Sequence, residues 1–529
     1  MVGTSEEKKQ DVAIPLVVTV GISGHRRPEQ LGDPARTRAL LQDTFRNLRA
    51  SLSELNGPVR FVILSPLAKG ADRLFVDALR EVEPDADLLV PLPFSRDAYE
   101  QSFEGPASVA DFRRRVDDPK TLECFVIPGG REGEYLRLGR WVVDNADIMF
   151  FLHDGSDFAA APRDGGTSSV IQYAWADGDL PGSDDREGHP IYAYVDTADE
   201  TVIVRGAART NPHARHLAEG AEARFDERAQ LHQRHFDRTV TTIVGMAFVV
   251  GILVLLDWYS GGNKVFAGLG PLHRVINWDS LATLAVLALI LRVFTSRNRN
   301  ALRDWLESRY LAERRRTLPE LLAAGVPPSV VLAGRGRDPS SRDMARVWHS
   351  LYLSAKETFR ATGSAPAAPD TLRTRLLARD GFLADQIGWH LKRAREKESV
   401  QRGWTWVRNL LFVLSAAASA SAAVHIATAA TESAALANSL DLASSLLSLL
   451  LAGAATMGQV KEHGRVAAKY RDTARRLSEV RRTIRFVEAG DGPSRAEELR
   501  ELVVEGTEVL METTYAWMDT MKEKAPDLA

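Results

Sequence analysis

IPLVVTVGISGHRR, Ile14–Arg27, is the stretch that decides the fold. Ile14–Val20 is a continuous, β-branched apolar run, the pattern of a strand buried on both faces of a parallel sheet. It leads into Gly21-Ile22-Ser23-Gly24-His25-Arg26-Arg27, and a helix begins near Asp33–Arg36. Glycines just past a strand let the backbone come close to a ligand, and the N–H groups that follow face anions. The pattern then repeats. Val59–Ser65 reads as a second strand, followed by Pro66-Leu67-Ala68-Lys69-Gly70-Ala71-Asp72-Arg73 and a helix over Ala71–Val82. Asp87–Leu92 is a third strand. Ala146–His153 is another, leading across a loop, Asp154–Arg163, to Gly165-Gly166-Thr167 and a helix at Ser168–Ala176, and Ile191–Val195 closes the sheet. Such alternation predicts an α/β doubly wound, Rossmann-like domain over 14–205, with its ligand at the carboxyl ends of the strands.

Each turn alone also reads as a plain tight turn or a helix cap, with Asp72 favoured at a helix start by the dipole. Their shared position after strands of one sheet makes them converge on one crevice. Its candidate ligand-binding residues are Gly21, Ser23, Gly24, His25, Arg26, Lys69, Gly70, Ala71, Asp72, Asp154, Gly165, Gly166 and Thr167. Backbone N–H groups, Arg26 or Arg27, Lys69 and Thr167 suit a phosphate-bearing nucleotide. Asp154 reads as a carboxylate that contacts a ribose or a backbone N–H.

Composition narrows the classes. The 529 residues carry a formal net charge of −3, so no global basic field points to nucleic acid. Cys124 is the only cysteine, which excludes an internal disulfide and a Cys-based zinc site. His213, His216, His232 and His235 fall on a charged stretch with no carboxylate–histidine signature, so no metal and no catalytic residue is assigned. Residues 1–13 read as a disordered N-terminus without the features of a signal peptide.

The second half reads as a membrane body. A span needs ~20 mostly apolar residues, and four stretches are candidates: 239–256, 278–296, 409–430 and 441–459. Arg224, Arg228, Arg234 and Arg238 precede the first, and Arg297, Arg299 and Arg303 follow the second. Lys and Arg likewise flank the outer ends of the other pair, while Thr431–Asp441 has none. The positive-inside rule then predicts a multi-pass protein of the inner (cytoplasmic) membrane with both termini cytosolic. The expected division is a helix–span–span–helix unit over 206–325, a cytosolic linker over 326–384, a second such unit over 385–490, and a cytosolic C-terminal helix over 491–529. One face of the last two spans carries Ser415, Ser419, His425, Asp441, Ser444, Ser445 and Ser448. That stripe reads either as the polar lining of a pore or as small-residue helix packing.

The runs GISGHR, LSPLAKGADRL and ADIMFFLHDG with GGTSSVIQYA, in that order, resemble the SLOG branch of Rossmann-like domains. That branch includes cytokinin-activating phosphoribohydrolases and the nucleotide-sensing heads of bacterial defence proteins and some animal cation channels. The paired spans with charged flanking helices are similar to SLATT-type two-helix effectors. The hydrolases carry a glutamate three residues after the turn threonine, and here Val170 stands in its place, which disfavours hydrolysis. The resemblance therefore implies a non-enzymatic sensor. Its head would bind a nucleotide or ADP-ribose-type signal and gate a homo-oligomeric pore in the lipid bilayer, as in an antiphage, abortive-infection response. The alternatives are a membrane-anchored nucleotide phosphoribohydrolase and a structural membrane protein with a degenerate Rossmann head.

Overall fold

Leu16–Val20 has no polar side chain except Thr19, and it starts β1 (Leu16–Gly24), the central strand of a seven-stranded sheet. Around it lie β2 (Val59–Leu64), β3 (Asp87–Leu92) and β4 (Thr121–Val126) on one side. On the other lie β5 (Ile148–His153), β6 (Ile191–Asp196) and β7 (Thr201–Arg205), in the order β4-β3-β2-β1-β5-β6-β7. All neighbours are parallel except β6 and β7, which are antiparallel. The chain therefore builds outward to one side of β1 and then restarts on the other. That reversal places a topological switch point at the carboxyl ends of β1 and β5.

The structure is a computed structural model that describes residues 13–128, 133–155, 166–176, 190–220, 224–262, 286, 288, 297–332, 342–428, 434–461, 463–487 and 493–524. It divides into two units, Met1–Ala223 with Gly325–Pro366, and Arg224–Ala324 with Ala367–Ala529. In the first unit the sheet is joined by α1 (Pro34–Asn56), α2 (Ala71–Val82), α3 (Arg96–Glu100), α4 (Pro106–Val116), α5 (Glu134–Asn145), α6 (Thr167–Ala176) and α7 (Arg215–Ala218). Asp33 caps α1 by accepting from the Ala35 amide, and Pro34 fills the first turn where no donor is needed. The chain then leaves for α8 (Phe225–Gly262) and α9 (Arg297–Ala323), and returns for α10 (Pro328–Leu332) and α11 (Arg342–Ala361). It leaves again for α12 (Pro369–Leu377), α13 (Phe382–Thr428), α14 (Ala434–Lys461), α15 (His463–Phe486) and α16 (Pro493–Lys524).

The returning segment closes the amino end of the sheet. Ser350 Oγ accepts from the Val17 amide at 2.8 Å, a donor that no strand neighbour takes. Arg346 Nε donates to Asp147 Oδ1 at 2.6 Å, and Asp147 Oδ2 accepts from the amide and hydroxyl of Thr19 at 2.8 and 2.9 Å. Ser329 donates its amide and hydroxyl to Glu123 at 3.0 and 2.7 Å. Residues 325–366, which cover most of the stretch 326–384 read from sequence as linker, thus belong to the α/β unit.

The membrane body is corrected. Among the described residues no helix is long and apolar enough to cross a membrane, which overturns the four spans, the channel and the multi-pass localisation. The candidate at 278–296 lies outside the described residues except for 286 and 288. The one at 239–256 is part of α8, a 38-residue helix that opens with charged turns. The other two fall in α13 and α14, whose alanines and serines contribute little transfer energy per residue. In the helical unit α8 packs on α9, and α13 packs on α14 and α15. Trp406, Phe412, Val413 and Val424 of α13 remain exposed in the chain.

Candidate functional site

Two glycines bring the strand ends together with α2. A Cβ added at Gly24 would lie 2.4 Å from Ala71 Cβ and 2.9 Å from Leu152 Cβ. Gly70 has φ +90°, and its Cβ would lie 2.6 and 2.7 Å from the carbonyl oxygens of His25 and Arg26. Both positions exclude a side chain by contact, and Gly70 also by backbone conformation. The Ala71 amide then donates to His25 O at 3.0 Å.

That packing sets His25 at the mouth of the switch point. Its ring stacks on His153, with centroids 4.5 Å apart and planes 27° from parallel. His25 Nε2 lies 3.0 Å from Asp154 Oδ1 and 3.2 Å from the Asp154 amide nitrogen. His153 is fully buried; its Nδ1 accepts from the Gly155 amide at 2.9 Å, and its Nε2 is 3.1 Å from Ser168 Oγ. This pattern assigns the His153 proton to Nε2, which donates to Ser168. His25, His153 and Asp154 each bring one potential ligand atom, all within 4.8 Å of one another.

Arg26, the next residue, holds its guanidinium carbon 4.8 Å from the centre of the Tyr135 ring. Burial works against its charge, but Tyr99 and Tyr135 outweigh that effect and the net shift of its pKa is upward. Among the described residues no carboxylate lies at ion-pair distance from Arg26. By contrast Lys69 pairs with Glu104 at 3.2 Å, with both side chains exposed. Asp72 is buried, and desolvation pushes its carboxyl up to about 7, against the Ala68 amide bond and the charges of Arg26 and Arg73. Burial also raises the Tyr99 phenol above its ordinary range.

The expected residues divide by what they do. Gly24, His25, Arg26, Asp72 and Asp154 meet around the switch point. Gly21 is a packing glycine, with Met149 Sδ and Val142 Cγ1 2.8 Å from where its Cβ would be. Ser23 is half-buried in β1 and Ala71 is buried at the start of α2. The second turn folds back on itself: the Leu67 amide donates to Ser65 Oγ at 3.2 Å and the Ala68 amide to Asp72 Oδ2 at 3.0 Å. Those donors are not presented to a ligand. Gly165 lies outside the described residues; Gly166 accepts from the Ser169 and Val170 amides, and Thr167 begins α6. Val170 is 2% exposed and packs on Gly139, whose Cβ would lie 2.3 Å from Val170 Cγ2. That position faces α5, so no side chain there serves the crevice.

His153, Ser168, Tyr99 and Tyr135 were not anticipated. A histidine closing an apolar parallel strand was the visible signal for His153. The two tyrosines lie on α3 and α5, and nothing in their local spacing marks them.

In the helical unit, Ser415 Oγ is 2.8 Å from Ser448 Oγ, and Ser419 pairs with Ser444. The stripe's serines bond across the α13–α14 seam. Ser445 is half-buried, Asp441 is exposed, and the side chain of His425 lies outside the described residues.

The chain matches no protein-family model, no curated protein and no solved structure.

Proposed function

We propose that the α/β unit binds a phosphate-bearing, nucleotide-derived ligand of the ADP-ribose type at the carboxyl ends of β1 and β5, and that it acts by binding rather than turnover. The observation that carries this reading is the Arg26 guanidinium, held over Tyr135 beside the switch point with no carboxylate partner among the described residues. A cation prepared in this way offers a planar fork to a phosphate at little cost in side-chain entropy. The amino-terminal turn of α6, whose Ser168 reaches His153, adds the partial positive charge of a helix start. The buried Val170 supports binding without hydrolysis, because no carboxylate occupies its place. The likeness to SLOG domains belongs to this proposal. A sensor role follows if the ligand favours one state of the whole chain over another.

The test is calorimetric titration of the full chain with ADP-ribose, NAD, a cyclic mononucleotide and AMP, with chromatography of the ligand afterwards. Binding of one of these, weakened at least ~10-fold in Arg26→Ala as for a lost charge-assisted hydrogen bond, is the expected result. Equal affinity in Arg26→Ala, or no binding to any of the four, overturns the reading. Release of free base would replace it with the hydrolase alternative.

A further inference from the structure

We propose that His25, His153 and Asp154 form a binding site for one divalent transition-metal ion. Two imidazoles and a carboxylate, delivered by the carboxyl ends of adjacent strands, are the donor set that such ions take with positions left for water. The geometry at His25 Nε2 supplies the stronger argument. The Asp154 amide points an N–H at this nitrogen from 3.2 Å, which calls for a lone pair there. Asp154 Oδ1 lies 3.0 Å from the same nitrogen, which calls for a proton there. A neutral ring cannot answer both. A cation between Nε2 and Oδ1 takes the ring's lone pair in place of the Asp154 N–H and removes the repulsion between the nitrogen and carboxylate lone pairs.

The separations fit an ion. Neighbouring ligands of a six-coordinate ion with bonds of ~2.1 Å lie about 3.0 Å apart, the distance between His25 Nε2 and Asp154 Oδ1. Opposite ligands of such an ion lie about 4.2 Å apart. The donor atoms of the trio fall within 4.8 Å, so a closure of well under 1 Å completes the set. His153 joins by giving up either the Gly155 amide at 2.9 Å or Ser168 Oγ at 3.1 Å, and the Ser168 hydroxyl can turn to another acceptor. Metal ligands carry such second partners, which fix the ring. The inference goes beyond the nucleotide reading and needs no organic ligand.

The experiment uses untagged full chain, treated with a chelator and titrated with Co²⁺ alone, followed by calorimetry and visible absorption. One equivalent of Co²⁺ is expected, with ligand-field bands, and affinity at least ~10-fold lower in His25→Ala and Asp154→Asn. His235→Ala, on α8, leaves binding unchanged. Asp154→Asn keeps the side-chain volume and carries the test if His25→Ala does not fold. Absence of Co²⁺ binding, or undiminished affinity in Asp154→Asn, overturns the site. Nucleotide binding without Co²⁺ binding defeats this inference alone, and Co²⁺ binding without nucleotide binding defeats only the ligand proposal.

Discussion

Asp147 and Asp72 are equally buried, each 4% exposed, at opposite ends of the same sheet. Asp147, at the amino end, has Arg346, the Thr19 amide and the Thr19 hydroxyl around its two oxygens. Asp72, at the carboxyl end, takes one hydrogen bond, from the Ala68 amide, and its carboxyl is pushed up to about 7. Equal burial is met by different partners at the two ends. A charge in low dielectric persists where a guanidinium and hydrogen bonds replace water, and otherwise the group moves toward its neutral form. The amino end is built to stay shut. The carboxyl end holds a buried carboxyl answered by one backbone amide.

The largest expected effect comes from breaking the amino end. Arg346→Ala leaves Asp147 buried without its guanidinium and should cost about 3–5 kcal/mol, read from urea unfolding. A companion variant, Asp147→Asn with Arg346→Met, should recover much of that loss. If it does not, the pair is packing rather than electrostatics.

Asp72 gives a smaller and pH-dependent effect. Its folded pKa, about 7, lies above the unfolded value near 3.8. The folded chain therefore holds the extra proton between these limits, and the group's stabilisation, full below about 4, is lost as pH rises through 7. Asp72→Asn should flatten that decline, a difference on the order of 1–3 kcal/mol across the window, followed by denaturation midpoints from pH 4 to 8. A wild-type profile identical to that of Asp72→Asn would erase the contrast between the two ends.

The smallest effect belongs to Lys69. Its ion pair with Glu104 is exposed on both sides, so Lys69→Ala should change stability by no more than about 0.5 kcal/mol. It should also leave intact the nucleotide affinity that Arg26→Ala removes. A large loss on Lys69→Ala would move the anion-binding centre to the second turn.

Much of the α/β unit was legible because its inner strands are built on aliphatic or aromatic runs with few polar interruptions such as Thr19 and Arg60, and β1, β2, β3, β5 and β6 fall where such runs occur. β4 escaped because Glu123 and Cys124 interrupt a half-buried edge strand, and β7 because it is only five residues long and nearly all exposed at the other edge. Gly24, His25, Arg26 and Asp154 could be picked out since residues just past parallel strands meet at a switch point. His153 and Ser168 required the tertiary structure, as did the closure of the amino end by a segment some 200 positions away in the chain. The apolar stretches misled for a physical reason. A run without charges gives length, but Ala and Ser supply small transfer energies, and Ser415 and Ser448 satisfy each other across two helices.

The return of residues 325–366 to the sheet also orders events during synthesis. Arg346 follows Asp147 by 199 residues. At 5–20 residues per second the ribosome takes about 10–40 s to deliver it. For the last 141 residues of that interval, after Arg205 ends β7, the nascent sheet carries all of its strands but not its amino-terminal cover, with the Val17 amide still lacking Ser350 and the Asp147 carboxylate still lacking Arg346. The long helices from α8 to α9 are made during this wait. Completion of the first unit is thus timed by the translation of the second, and a truncated chain that stops anywhere before α11 leaves the sheet unfinished, however complete its strands.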